Sequence, residues 1–365
     1  MRLSAACRIA AVLVAMAPAG AATARAAEAA RPPDYIAALE RRIDSGEFAN
    51  LHSVVVNRGG KTIFERYLEG TDDKRGQPLG TVKFGPDMLH DVRSVSKSIV
   101  SLLFGIAAAE GAIPDLDKPV LDYFPEYPDL RTAERLRIRL RDILSMTSGL
   151  HWDERTYPYT DVRNSETAMD RASDRYHFIL SAEIDAAPGA RFNYSGGDVA
   201  LAAQIVARAT KTPIDRYVAQ KLFAPLGIAH FEWLKDQSGI PLAASGLRLL
   251  PADMAAIGRL MLQHGMWNGK AVVPAAWVDD ATALHIAVQP GRRCGPTYGY
   301  LWWRINLCTQ NQETPLYFAT GNGGQNIWVV PSLDLVVVTT AGQYNTPKGD
   351  EMSAEITKSI VEALR

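Results

Sequence analysis

The spacing of hydrophobic residues changes along the chain, and each change predicts a different kind of element. Residues 35–46 have the spacing of a helix, and two β-rich runs at 53–56 and 62–64 are separated by a glycine-containing turn, which predicts a hairpin. From 94 to 110, apolar residues recur at the spacing of a second helix. The first third of the chain is therefore predicted to mix helix and strand.

The middle of the chain is predicted to be mostly helical, and its end is rich in β-strand. Helical spacing covers 139–146, 198–210 and 251–264, strand-like runs cover 298–305, 316–320, 327–330 and 335–340, and an amphipathic helix covers 353–365. These patterns predict an α/β (α+β) chain in which residues 34–112 and 271–365 form one lobe around a shared sheet. Residues 113–270 form an inserted, mostly helical lobe, and a cleft between lobes is a usual place for a ligand.

The N-terminus is predicted to be a secretory signal peptide, residues 1–26. Arg2 and Arg8 form a positive region before an apolar run at 9–17, and Ala24-Arg25-Ala26 provides a small-residue cleavage site. The run is far shorter than the roughly 20 residues of a membrane span, so we expect an exported, periplasmic or secreted protein. An uncleaved anchor is the alternative.

Cleavage would leave two cysteines, Cys294 and Cys308. In an exported protein, a disulfide between them is plausible. The segment that they flank, 298–303, has the character of a strand, so the bond would join strand ends. Two unpaired thiols are the alternative.

Composition excludes several classes of function. Hydrophobic residues are 47% and charged residues 22%, enough apolar side chain for a sizeable core. Lys and Arg number 39 against 40 Asp and Glu, so there is no broad cationic face and no nucleic-acid partner is expected. No H-x-H, H-E-x-x-H, G-x-S-x-G or phosphate-loop motif occurs, so we expect neither a metal nor an organic cofactor.

The candidate chemistry begins at Ser94-Val95-Ser96-Lys97. Ser94 opens an apolar helix, whose N-terminus favours developing negative charge. Lys97 lies three residues on, hence on the same face, and a desolvated amine can be neutral enough to take the serine proton. The alternative without catalysis is a serine that caps the helix N-terminus beside a solvated lysine.

Five ordered segments resemble the serine β-lactamase and penicillin-binding-protein superfamily, in its class C-like branch of esterases and 6-aminohexanoate-dimer hydrolases. They are residues 91–98, 144–150, 188–198, 298–303 and 321–331. The resemblance implies a β-lactamase/transpeptidase-like fold with an antiparallel sheet from both chain ends, flanked by helices.

The resemblance also implies roles for individual residues. Ser94 corresponds to the nucleophile, Lys97 to its proton partner and Tyr194 to the tyrosine that passes the proton to the leaving group. Backbone N–H groups of Ser94 and Asn322 would form the oxyanion hole. Whether Lys97 or Tyr194 is the general base stays open, because the two should titrate as a coupled pair.

Two departures from the family pattern bear on the substrate. The motif Y-x-N is here Tyr194-Ser195-Gly196, and Asp198 is a candidate to stand in for the missing amide. The lysine of K-T-G, which engages a substrate carboxylate, is Ala319. Without this lysine, a charge-assisted contact of about 1.5–3 kcal/mol is lost. The preference for a substrate that carries a carboxylate should therefore fall roughly ten- to hundred-fold.

The resulting hypothesis is a serine hydrolase acting through an acyl-enzyme on small-molecule esters or linear amides. A β-lactamase or D-alanyl-D-alanine carboxypeptidase is the second hypothesis, and a non-catalytic binding module on the same fold is the third. The sequence does not predict an oligomeric state. Besides Asp198, the candidate substrate-binding residues are Trp152, Tyr157, Tyr159, Gly323 and Gln325. For the three aromatic residues, ordinary loop packing is the alternative.

Overall fold

A computed structural model describes residues 34–308 and 312–365; the predicted signal peptide lies outside the described residues. The helices are α1 (Asp34–Asp44), α2 (Val95–Ala109), α3 (Leu140–Leu144), α4 (Ser165–Arg171), α5 (Arg175–Ser181), α6 (Gly196–Thr210), α7 (Ile214–Val218), α8 (Ala224–Leu226), α9 (Pro251–Leu262), α10 (Ala275–Ala281) and α11 (Lys348–Ala363). Among the described residues, no helix is both long and apolar enough to span a bilayer.

The strands lie mainly at the two ends of the chain. They are β1 (Leu51–Arg58), β2 (Lys61–Tyr67), β3 (Glu69–Lys74), β4 (Gln77–Lys83), β5 (His90–Asp91), β6 (Glu232–Trp233), β7 (Leu247–Leu249), β8 (Met266–Trp267), β9 (Lys270–Ala271), β10 (Ile286–Ala287), β11 (Thr297–Tyr298), β12 (Trp303–Cys308), β13 (Glu313–Gly321), β14 (Gln325–Val330) and β15 (Leu335–Ala341).

One antiparallel sheet of eight strands organises the molecule, in the order β10-β11-β12-β13-β14-β15-β1-β2. The last strand, β15, pairs with the first strand, β1, with Val55 opposite Val338. The prediction of a single antiparallel sheet built from both chain ends is therefore confirmed.

Helices cover both faces of this sheet, which explains why its central strands contain runs of consecutive apolar residues. Along β15, Val336 and Val338 belong to the core on the side of α2 and α9, while Val337 belongs to the core on the side of α1 and α11. Side chains of a strand alternate between faces, so a strand covered on both sides buries successive residues against different helices.

Helix α9 lies inside the predicted helical lobe, yet it packs against β14, β15 and β1 of the sheet. Helix α2 lies deeper and contacts both the sheet and α6. The lobe boundaries at 112 and 270 stay a prediction.

The prediction of one strand over 298–305 is wrong. Strands β11 and β12 form a hairpin, and the turn between them includes Leu301 at a positive φ of 59°. The turn is buried: the Leu301 N–H donates to the Leu144 carbonyl, and the Ser98 hydroxyl donates to the Leu301 carbonyl. A turn embedded in the core is apolar, so its composition imitates a strand.

A disulfide between Cys294 and Cys308 closes this hairpin at its open end, with 6.2 Å between the two Cα atoms. Cys308 ends β12, and Cys294 lies just before β11. The bond ties the end of β12 to the segment that precedes β11.

Candidate active site

The N-terminus of α2 meets the end of strand β13, and Ser94 lies at this junction. Ser94 immediately precedes the first helical residue. A Cβ built on Gly321 would lie 2.3 Å from the Val92 carbonyl oxygen and 3.0 Å from the Ser94 nitrogen. Only glycine permits this approach, which brings the end of β13 to the serine.

Lys97 is one turn into α2, and its side chain is 1% exposed. Its Nζ donates to the Ser94 Oγ at 3.1 Å and to the Ala244 carbonyl at 2.9 Å. The buried face of the helix leaves the amine no access to water, so these contacts fix its direction towards the serine.

Tyr194 lies just before α6, and its side chain contacts both Ser94 and Lys97. The Lys97 Nζ is 4.9 Å from the centre of the Tyr194 ring, and the ring stacks on Trp303 at 6.0 Å. The serine, lysine and tyrosine named from the sequence therefore meet at one point.

Two buried carboxyl groups that the sequence did not reveal also face Lys97. Glu166 Oε2 is 3.9 Å from the Lys97 Nζ, and Glu166 Oε1 accepts from the Ser245 hydroxyl at 2.5 Å. Glu154 accepts hydrogen bonds from the Trp152 indole, from the Gly196 N–H and from the Tyr159 hydroxyl. The two glutamates are only 3% and 6% exposed, respectively.

These carboxyl groups set the protonation of the site. Burial favours the neutral amine of Lys97, but Tyr194, Glu166 and Glu154 together outweigh burial and raise the pKa of Lys97. Burial and the charge of Glu166 raise the pKa of Glu154 to about 7. Lys97 lowers the pKa of Glu166 in spite of its burial. These contacts favour an ammonium at Lys97 over the neutral amine expected from burial alone.

Tyr194 is held in its neutral form. Burial raises the pKa of its phenol, and the ammonium of Lys97 opposes that effect only in part. With both pKa values raised, Lys97 and Tyr194 favour their protonated forms, so one of them must lose a proton before Ser94 can be activated.

Two connected cavities open from Ser94 and share Ser94, Tyr159 and Asn322 in their walls. The one we call the apolar arm has a volume of about 580 Å³ and is lined by Trp303, Ile305, Phe318 and Trp328. The one we call the polar arm has about 270 Å³ and is lined by Arg75, Arg93, Asp73 and Asp170.

An aromatic row across three strands forms the wall of the apolar arm. Trp303 of β12 is the register partner of Phe318 on β13, and Phe318 is the partner of Trp328 on β14. Partnered residues point to the same face of a sheet, so the rings stack, with 6.1 Å and 4.3 Å between successive centres. The acidic residues Asp350 and Glu351 of α11 also line this arm.

Asn322 follows β13 and is positioned by its side chain. Its amide donates to the Asn345 side-chain oxygen at 2.8 Å, and its own oxygen accepts from the Asn345 N–H at 2.7 Å. This reciprocal pair holds residue 322 beside Ser94 in the walls of both cavities.

Three predicted substrate-binding residues lie away from both cavities. Trp152 is buried against Gly197 and serves Glu154 as a donor. Tyr157 lies under the Arg163 guanidinium, 4.2 Å from it. Asp198 is buried beside Ser148, and burial raises its pKa well above the usual value. Of the aromatic residues predicted after Leu150, Tyr159 alone lines the cleft.

The other two candidates also lie outside the walls of both cavities. Gly323 has a φ of 102°, and a Cβ there would collide with the ring of Tyr344 at 2.6 Å. Gln325 is 1% exposed and donates to the Ala341 carbonyl. Both residues hold the β13–β14 turn against β15, and neither lines the two cavities.

One group of side chains in the described part of the chain could hold a metal ion with free nitrogen donors. His52, Asp72 and His90 each offer a ligand atom, and these atoms lie within 4.8 Å of one another. Asp72 already accepts from the Tyr344 hydroxyl at 2.7 Å, and the His52 ring stacks on Phe84 at 4.0 Å. The cluster packs behind the polar arm, and none of its residues is in the cavity walls.

Comparison with known proteins agrees with this arrangement. A family profile described as Beta-lactamase matches residues 47–360. The chain belongs to the beta-lactamase family. It is a serine hydrolase of that family, and the predicted resemblance is confirmed.

Two curated relatives match different shares of the chain. The 6-aminohexanoate-dimer hydrolase of Paenarthrobacter ureafaciens is 27% identical over 327 residues, 85% of this chain and 75% of that protein. Protein flp of Staphylococcus aureus is 23% identical over 192 residues, which cover 53% of this chain and 36% of that protein.

Solved structures share the fold. EstCE1, a hydrolase with promiscuous acyltransferase activity, superposes with a TM-score of 0.69 at 15% identity, covering 91% of this chain and 97% of that one. A class C beta-lactamase superposes with a TM-score of 0.66 at 18% identity, covering 91% and 96%. The β-lactamase/transpeptidase-like fold predicted from the sequence is confirmed.

Proposed function

We propose that this protein hydrolyses esters or linear amides of small molecules, with Ser94 as the nucleophile. The observation that carries the proposal is the Ser94 hydroxyl, bonded to the buried Lys97 amine at 3.1 Å and placed at the mouth of the apolar arm. A hydroxyl beside an amine and a phenol, at a helix N-terminus, has the parts needed for acyl transfer.

The reaction follows from these positions. Once Lys97 or Tyr194 has lost a proton to the solvent, the Ser94 oxygen attacks the substrate carbonyl carbon while the Ser94 proton passes to that deprotonated group. The oxygen that becomes negative is held by the N–H groups of Ser94 and Asn322. The leaving alcohol or amine departs with a proton, and water then releases the acid from Ser94.

The lining of the apolar arm supports an acyl chain as the group bound there. Three stacked rings offer contact along the length of a chain rather than to a compact charged ring system. Position 319, where the family motif carries a cation, is a fully buried alanine, and Asp350 and Glu351 add acid to the wall. A substrate carboxylate in this arm is therefore disfavoured. The 27% identity to a 6-aminohexanoate-dimer hydrolase supports linear amides among the substrates.

A hydrolysis panel tests the proposal. Purified mature protein should turn over p-nitrophenyl esters or the linear dimer of 6-aminohexanoate faster than the β-lactam nitrocefin, and Ser94→Ala should abolish turnover. Nitrocefin turnover equal to or above that of the esters would favour the β-lactamase hypothesis. Absence of labelling by a fluorophosphonate on folded protein would favour the binding module.

We also propose that the protein is exported. The charged and apolar pattern of residues 1–26 supports cleavage, and a disulfide between Cys294 and Cys308 suits an oxidising compartment. The mass of the protein recovered from the periplasm or medium should correspond to a chain beginning at Ala27.

A further inference from the structure

The Y-x-N motif of this family ends here in Gly196, and the structure shows what fills the place of the missing side chain. A Cβ on Gly196 would lie 2.6 Å from Glu166 Oε2 and 2.9 Å from Glu154 Oε1. Real Cβ atoms do not approach oxygen this closely, so no side chain fits at 196 while both carboxyl groups keep these positions. The glycine and the two glutamates are therefore parts of one arrangement.

The two carboxyl groups come from different elements and converge on one point. Glu166 lies in the first turn of α4, where the Asn164 side chain caps the helix and accepts from the Glu166 N–H at 3.1 Å. Glu154 lies on the preceding loop and is fixed by donors from three sides. Two buried carboxyl groups in contact cannot both stay ionised, and they share a proton.

The balance of charges identifies Lys97 as the partner of the two glutamates. With one proton between them, Glu154 and Glu166 carry one negative charge, and Lys97 carries one positive charge at 3.9 Å from Glu166. A buried ammonium requires an anion beside it. Among the described residues, Glu166 is the carboxyl group within ion-pair distance of the Lys97 amine.

We propose that Glu166, hydrogen-bonded to a protonated Glu154, occupies the place of the motif amide and is the counterion that keeps Lys97 an ammonium in the resting enzyme. Glu166 is thus a positioning residue that acts through Lys97. The inference rests on the proposed function of Lys97 as proton partner of Ser94.

Other charged groups face this pair from every neighbouring element. They are Lys97 of α2, Arg75 at the β3–β4 turn, Asp170 one turn further along α4, and the phenols of Tyr159 and Tyr194. Arg75 also bonds Asp170 at 3.2 Å and the Ser245 hydroxyl at 2.8 Å, so most of its charge is engaged there. Lys97 remains the cation that faces Glu166 directly.

For catalysis, the consequence is that the enzyme should need a higher pH to become active. The anion of Glu166 makes deprotonation of both Lys97 and Tyr194 harder, so the rising limb of the pH–rate profile should move in the same direction whichever of them is the base. Removing one charge at this distance should shift that limb to lower pH by on the order of one to three units.

The test compares Glu166→Gln with Glu154→Gln. The first variant removes the anion and keeps the shape, and the second mimics the protonated acid that the wild type already holds below neutral pH. The rate of fluorophosphonate labelling at Ser94 is measured from pH 5 to 11.5, a range that reaches the raised pKa values of Lys97 and Tyr194 and requires no knowledge of the natural substrate. We expect the midpoint of Glu166→Gln to fall by at least one unit and that of Glu154→Gln to fall by less, because Glu166 is the carboxyl group within ion-pair distance of Lys97.

A direct titration separates this inference from the proposed function. In protein labelled with ¹³Cε-lysine, the Lys97 signal, assigned by its absence in Lys97→Met, should titrate at lower pH in Glu166→Gln than in the wild type. Unchanged midpoints in both measurements, with only a lower rate in Glu166→Gln, would overturn the counterion role. Loss of labelling in the wild type with the expected lysine titration would instead overturn the proposed function alone.

A compensated pair of changes tests the shared space. Gly196→Asn should unfold at lower temperature than the wild type because its side chain meets Glu166, and adding Glu166→Ala should restore part of that loss. A Gly196→Asn variant as stable as the wild type would show that the carboxyl group does not occupy the place of the amide.

Discussion

Replacing Lys97 with methionine should destabilise the protein as well as inactivate it. Methionine has a similar length to lysine, so the substitution leaves no large cavity. Glu166, however, loses its cation and stays buried away from water. At 3.9 Å and an effective dielectric constant near 20, the lost attraction is about 4 kcal/mol. Removing one partner of a buried pair typically costs about 3–5 kcal/mol, so two independent arguments give the same size.

The pH dependence of this loss follows from the two pKa shifts. The pKa of Glu166 is lowered from 4.5, so its contribution is present above that value and is lost as pH falls through the folded-state pKa. The pKa of Lys97 is raised from 10.5, so its contribution is present below that value and is lost as pH rises further. The difference between wild type and Lys97→Met should be largest between about pH 5 and 10 and should shrink below roughly pH 4.

Thermal and urea unfolding at pH 7 measure the effect. The expected loss corresponds to a fall in the melting temperature of roughly 6–15 °C. The control is Lys97→Met combined with Glu166→Gln, which leaves neutral groups of similar volume and should recover most of the stability. A single variant that unfolds like the wild type, or a double variant no more stable than the single one, would refute the buried ion pair.

Four further outcomes are expected. Cys294→Ser with Cys308→Ser should lower stability by about 3 kcal/mol, the chain-entropy value for a loop of about 15 residues, seen as an earlier urea midpoint than in the oxidised protein. Trp328→Ala should cut kcat/KM for an octanoate ester roughly ten- to hundred-fold more than for an acetate ester, since long chains lose the ring contact. Gly321→Ala should slow acylation about 100-fold, because its Cβ would displace β13 from Val92 and the serine; labelling rates check this. Dialysis against EDTA should leave ester hydrolysis unchanged.

The elements of the sheet were predictable because their patterns are local. The hairpin of β1 and β2, the helix after Ser94 and the strands β13 to β15 each follow from spacing and turn residues within about twenty positions. The turn at 299–302 could not be predicted from local sequence. Its residues are apolar because the turn is buried in the core, where Leu144 and Ser98 hydrogen-bond to its backbone.

The residues of the site also differ in whether local sequence could predict them. Ser94 and Lys97 are three residues apart on one helix, so their meeting is a property of local geometry, whereas Tyr194 and Asn322 could be named only through the resemblance. The aromatic row could not be predicted, because it depends on the register of β12, β13 and β14, which places Trp303 opposite Phe318.

The missing amide at position 196 shows how a departure from a motif can be interpreted physically. A polar side chain lost beside a buried ammonium must be replaced, and the sequence offered Asp198 because it is close along the chain. Residues 196 and 198 in the first turn of α6 point in different directions, however, so Asp198 turns towards Ser148. The carboxylate beside Lys97 instead comes from Glu166, thirty positions before Gly196, because α4 packs against α6. The replacement therefore had to be sought among residues that could reach the empty volume rather than among neighbours in sequence.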